Sequence, residues 1–80
     1  MTFEEVAERV KTLPSAVPSD MLQFYALYKQ ATVGPNQTPQ PGAFDFKAKA
    51  KWNAWREVSG LGREEAQTRY LELARRYGIE

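Results

Sequence analysis

Cysteine and histidine are both missing from the 80 residues. Without cysteine there is no disulfide framework, no zinc knuckle and no thiol nucleophile, and the composition fits a reducing compartment. Without histidine, Ser-His-Asp and Cys-His catalysis fall away together with most transition-metal sites. Ser15, Ser19 and Ser59 therefore have no imidazole to activate them. No apolar run nears the ~18 residues that span a bilayer, and the opening MTFEEVAERV is acidic with no signal-peptide core. An excess of one charge is lacking as well. Eleven Lys+Arg against ten Asp+Glu leave a net +1, without the broad basic footprint of a nucleic-acid binder. At 42% hydrophobic and 26% charged, the chain has the composition of a folded soluble protein, and its length allows one core. The expectation is a single intracellular domain over residues 1–80 that is not an enzyme, carries no cofactor and binds no nucleic acid.

Strand-like alternation is absent too, and the periodicity is helical throughout. Thr2-Phe3-Glu4-Glu5 has the form of a capping box, and Phe3, Val6, Ala7 and Val10 follow as an apolar stripe. This predicts a helix over 3–12, ended by Pro14. After the stiff connection PSAVPS, Ser19 or Asp20 can cap a second helix over 20–33, stopped by Gly34-Pro35. Residues 34–44 hold three prolines, two glycines and no charge, and read as a long irregular loop. A third helix is expected over 46–59 with Gly60 as its breaker. A fourth is expected over 63–77, with Ala66, Tyr70, Leu73, Ala74 and Tyr77 on its apolar stripe and Gly78 at its end. Glu65/Arg69 and Glu72/Arg76 are i,i+4 pairs on its outer side, each worth only ~0.2–0.5 kcal/mol. The fold class is all-α, a four-helix bundle.

Two helices carry residues that a core does not need. On the third, Trp52, Trp55, Val58 and Ala48 share one side, yet Lys51 projects between Trp55 and Val58 with Lys47 one turn earlier, while Lys49 points elsewhere toward solvent. A lysine in an apolar stripe is costly unless its ammonium reaches water or an anion, so it either snorkels past the tryptophans or holds a ligand. On the second helix Met21, Phe24, Leu27 and Ala31 form the core side, and Tyr25, Tyr28 and Lys29 an adjoining sector. That sector is either a pair of rim tyrosines or a ligand wall with a ring to stack on, hydroxyls and a cation. Tyr25, Tyr28 and Lys29 on one side and Lys47 and Lys51 on the other suit a small anion bearing a flat aromatic group, such as a nucleotide. The competing use of the same aromatic surface is to grip an amphipathic peptide.

The segments YALYKQATVG (25–34) and PGAFDFKAKAKWNAW (41–55) strongly resemble the acyl-CoA-binding protein family, and the likeness runs from Phe3 to Tyr77-Gly78-Ile79. The resemblance implies a four-helix bundle of that type, which binds medium- and long-chain acyl-CoA esters without catalysis and acts as a cytoplasmic carrier and pool buffer. It implies a monomer with no stable membrane insertion. Residue by residue, it implies that Tyr25 and Lys51 meet the adenosine 3′-phosphate region. Tyr28 and Lys29 are the neighbouring pair, ring near adenine and lysine near phosphate, and Lys11, Lys47 and Tyr70 complete the set. Two positions depart from the family pattern. The stretch between Tyr70 and Tyr77 is about four residues shorter than in many members, roughly one helical turn. Gln40 stands where a basic residue is common.

Overall fold

The computed structural model describes residues 2–14 and 16–79, so Ser15 lies outside the described residues. Four helices and no strands occur among them: α1 (Phe3–Val10), α2 (Pro18–Thr32), α3 (Phe46–Glu57) and α4 (Arg63–Arg76). No helix among the described residues is long and apolar enough to cross a membrane.

Each helix boundary has a local cause, and several differ from the sequence expectation. The capping box at α1 is formed as read: Thr2 Oγ1 accepts from the Glu5 amide at 3.2 Å, and Glu5 Oε1 accepts from the Thr2 amide at 3.0 Å. Hydrogen bonding from Thr2, its backbone N–H first and its side chain second, holds the Glu5 carboxyl below its ordinary pKa. This helix ends at Val10 rather than 12, because the Thr12 hydroxyl and amide both donate to the Arg9 carbonyl, at 2.8 and 3.1 Å. α2 begins two residues earlier than expected. Pro18 occupies its first turn, where a missing N–H costs nothing, so Val17 rather than Ser19 or Asp20 is the N-cap. It ends at Thr32, one residue early, and Gly34 (φ +101°) turns the chain away. α3 starts under an Asp45 cap on the Ala48 amide, 3.3 Å. It stops at Glu57, not 59, because Ser59 Oγ donates back to the Trp55 carbonyl at 3.0 Å and tightens the turn before Gly60 is reached. α4 ends at Arg76, one residue short of expectation. There Gly78 (φ +80°) donates to Arg75 and Ile79 donates to Ala74, a Schellman closure that buries Ile79.

Side-chain pairs fix the direction of each helix. Along α2 and α3 the contacts run in the same order, Lys51 over Tyr25 and Lys29 over Trp55, so these two helices are parallel. A parallel pair needs a return crossover, which explains why residues 34–44 form a long loop. α4 runs antiparallel to α2: Arg63 donates to the Val33 carbonyl at one end, Tyr70 meets Phe24 in the middle, and Tyr77 donates to Asp20 at the other. The start of α1 meets the end of α2, with Phe3 stacked on Tyr28 at 5.6 Å.

The core is built from Val6 and Val10 of α1, Phe24, Ala26 and Leu27 of α2, Trp55 and Val58, and Ala66, Tyr70, Leu73 and Ala74 of α4. One polar side chain joins it. Gln30 is 2% exposed, and its Nε2 donates to the Leu61 carbonyl at 2.6 Å, fastening α2 to the α3–α4 turn. The crossover loop is pinned by both indoles, Trp55 Nε1 to the Gly34 carbonyl (2.8 Å) and Trp52 Nε1 to the Thr38 carbonyl (3.0 Å). Of the two expected pairs on α4, Glu65–Arg69 closes at 2.7 Å, whereas Glu72–Arg76 is not within ion-pair distance. Met21 is a further correction. It is 39% exposed rather than part of the core, Ala31 is only half-buried, and Ala26 and Gln30 take the interior positions of α2.

Candidate ligand-binding site

Nearly every face of α2 carries an apolar residue: Met21, Leu22, Phe24, Tyr25, Ala26, Leu27 and Tyr28 follow almost without interruption. A helix apolar all round needs cover on more than one side. α3 and α4 cover much of α2. What remains uncovered is the floor of an open groove of about 660 Å³ between α1, α2 and the start of α3, within the size range of small-molecule sites. Its apolar lining comes from Ala7 and Val10, from Pro18, Met21, Leu22 and Phe24, and from Ala50.

The same groove collects six of the seven residues singled out in the sequence: Lys11, Tyr25, Tyr28, Lys47, Lys51 and Tyr70. Lys51 is half-buried, and its Nζ stands 5.3 Å from the centroid of the Tyr25 ring, close enough for a cation–π attraction. Tyr28 hydrogen-bonds through its hydroxyl to Glu4 Oε2 at 3.3 Å, which fixes its orientation. Lys11 is exposed and paired with Glu8 at 3.2 Å, an ion pair weak enough to yield to an incoming anion. Lys47 is exposed at the rim.

Lys29 is the exception. It does not line the groove; its Nζ lies 6.0 Å from the Tyr25 ring and 5.5 Å from the Trp55 ring, on the flank of Tyr25. Tyr25 thus has two ammonium groups near its ring, one from a groove-lining lysine and one from outside the groove. Lys49 also stays out of the groove, as its angular position implies, but is half-buried rather than open to solvent. Most of the apolar lining is not marked by spacing alone. Spacing puts Met21 in the core and Pro18 in the connection between helices, and gives Leu22 and Ala50 no role; the all-round apolarity of α2 is the available signal.

Tyr70 closes the inner wall, packed edge-on to Phe24 (5.0 Å) and Phe3 (5.1 Å) and 3% exposed. Burial pushes its phenol from the ordinary 10.0 up to about 12, with the nearby Tyr28 and Glu4 adding to the rise. A raised folded-state pKa contributes stability that is intact below pH 10 and lost as pH climbs toward 12. Tyr77 titrates in the same direction, because its hydroxyl donates to Asp20. Urea unfolding across this range is expected to lose ~2–3 kcal/mol through Tyr70, and Tyr70→Phe is expected to flatten that limb while leaving stability near neutrality little changed. An alkaline limb equally steep in wild type and variant would contradict the assignment.

An open apolar trough, phenols at one wall and ammonium groups at its edge define a small helical binder of amphipathic anions. Comparison with known proteins narrows that class. The family model described as Acyl CoA binding protein matches residues 1–74. The Acyl-CoA-binding protein homolog 1 of Caenorhabditis elegans is 47% identical, covering 98% of this chain and 96% of the relative. An Acyl-CoA-binding protein of Gossypium hirsutum is 56% identical over 86% of this chain and 79% of its own. The crystal structure of Oryza sativa Acyl-CoA-Binding Protein 2 superposes with a TM-score of 0.89 at 48% identity, covering 92% of this chain and 82% of that one. The chain belongs to the acyl-CoA-binding protein family.

Proposed function

We propose that this protein binds medium- and long-chain acyl-CoA esters without chemical turnover and serves as a monomeric cytoplasmic carrier and buffer of them. The observation that carries the reading is Lys51 held over Tyr25 inside a largely apolar groove. Among the described residues the Lys51 ammonium forms no ion pair. Its neighbours are a ring suited to a base and a trough suited to a hydrocarbon.

In this reading the CoA headgroup engages Tyr25, Tyr28, Lys51 and Lys29, with Lys11, Lys47 and Tyr70 completing the contact set. Ammonium groups supply charge-assisted contacts to phosphate, and an aromatic ring supplies stacking of ~1–3 kcal/mol. The acyl tail lies along Met21, Leu22, Val10 and Ala50, contributing at most ~0.8 kcal/mol per CH₂ covered. An 80-residue chain cannot enclose a long tail and keep a core of its own, so the trough stays open and the folded headgroup covers part of the tail.

Calorimetric titration with a series of acyl-CoA lengths is the test, with free CoA and palmitate as controls. Affinity is expected to rise with chain length, to fall with added salt, and to exceed that of either control by far. Affinity independent of chain length would reject the trough as the tail site. A free-thiol assay on the same mixtures is expected to show no CoA release, and steady release would make the protein a thioesterase instead. An amphipathic peptide that binds where palmitoyl-CoA does not would favour the peptide-gripping alternative.

A further inference from the structure

Phe44 and Phe46 stand in solvent at 92% and 74% exposure, outside the core and outside the groove. Two large rings left in water forfeit most of what burial would contribute. They do not belong to a slack segment, because Asp45 between them caps α3 and anchors the pair to a helix start. At about 100° per residue, Lys49 lies about 60° to one side of Phe46 and Lys47 about 100° to the other. The stretch 34–43 that precedes them carries no charge. Among the described residues the ion pairs are Lys11–Glu8 and Arg69–Glu65, so neither flanking lysine is neutralised by one.

Protruding aromatic rings flanked by exposed Lys47 and half-buried Lys49, with the Asp45 carboxylate between them turned onto the Ala48 amide, match a surface that is apolar beneath and anionic on top. That is the interface of an anionic bilayer, where rings settle at headgroup depth and each lysine gains from the surface potential. Location adds to the argument. Phe46 is one turn before Ala50, which lines the groove together with Lys47, and Met21 on α2, another groove-lining residue, is itself 39% exposed. The rings therefore lie beside the apolar mouth of the trough.

We propose that this corner of the protein docks reversibly on anionic membranes, with Phe44 and Phe46 entering the interface and Lys47 and Lys49 meeting the lipid headgroups. Docking turns the mouth of the groove toward the bilayer. The purpose of that orientation, transfer of an acyl chain between membrane and trough, rests on the acyl-CoA reading; the docking itself does not.

Flotation of the full chain with vesicles of phosphatidylcholine, alone or mixed with phosphatidylglycerol, tests the proposal. Wild type is expected to float with the mixed vesicles, to stay behind with the neutral ones, and to be released by salt. Phe44→Ser/Phe46→Ser is expected to lower partitioning about tenfold or more. Lys49→Glu, a residue outside the groove, is expected to lower it about tenfold. Circular dichroism confirms the fold of each variant before comparison. No flotation with either vesicle, equal flotation with both, or flotation untouched by both variants would overturn the docking surface. Palmitoyl-CoA titration without vesicles reads the ligand-binding proposal separately, so either can fail while the other stands.

Discussion

Lys51→Ala is expected to weaken palmitoyl-CoA binding about tenfold to hundredfold, the equivalent of one charge-assisted contact of ~1.5–3 kcal/mol. The fold should be nearly indifferent to the change. The Lys51 ammonium forms no ion pair among the described residues, and its one aromatic contact, 5.3 Å from the Tyr25 centroid, is worth only ~0.5–1 kcal/mol. Part of the lysine stem covers apolar surface, so an alanine effect mixes lost charge with lost packing. Lys51→Met separates the two by keeping the stem and removing the ammonium. A loss in Met close to that in Ala assigns the effect to charge, and the salt dependence of binding should shrink in both. Tyr25→Ala is expected to fall in the same range, whereas Tyr25→Phe, which keeps the ring, should lose less. Wild-type affinity in folded Lys51→Ala and Tyr25→Ala proteins would remove the headgroup assignment.

Lys51 stands out in the sequence because an ammonium inside an apolar stripe is costly unless it reaches water or an anion. Periodicity likewise located all four helices, since Val6, Val10, Phe24, Trp55, Tyr70 and Leu73 repeat at helical spacing and all are buried. What escaped the sequence was set by partners distant in the chain. Asp20 has the chemistry of an N-cap, yet Pro18 starts the helix before it, and its carboxylate instead accepts from Tyr77, 57 residues on. Gln30 belongs to neither side read for α2, and carbonyls between α3 and α4 draw it inside. Met21 shares the stripe of Phe24 and Leu27 by spacing, and only the position of α1 and α3 shows that this end of the stripe opens into the groove. Lys29 follows Tyr28 in sequence, yet the turn of the helix places it outside the groove, beside Trp55. Periodicity assigns a residue to a face; which neighbour covers that face is a tertiary fact.

Trp55→Ala is expected to cost ~3–5 kcal/mol, the largest stability effect of any single change considered for this chain. Folded domains hold ~0.05–0.15 kcal/mol per residue, so a chain of 80 residues has roughly 4–12 kcal/mol in total and the variant loses a large share of it. Two losses combine. The indole is 6% exposed, so its removal leaves a cavity between α2 and α3. Its Nε1 also donates to the Gly34 carbonyl at 2.8 Å in a buried setting, so the acceptor is left without that partner just where α2 gives way to the crossover loop. Trp55→Phe divides the sum, because it fills much of the cavity and loses the hydrogen bond, for ~1–3 kcal/mol. Trp52 provides the contrast. Its indole makes the corresponding bond to Thr38 at 3.0 Å but is only half-buried, so water can replace the lost partner and Trp52→Phe should cost less than ~1 kcal/mol. Denaturant unfolding of the three variants measures the ranking directly. Neither tryptophan lines the groove, so folded Trp55→Phe should retain palmitoyl-CoA affinity within about threefold, a difference of well under 1 kcal/mol. Equal costs at the two tryptophans would mean that the crossover loop is held by something other than the buried indole, and the parallel pairing of α2 and α3 would need a different anchor.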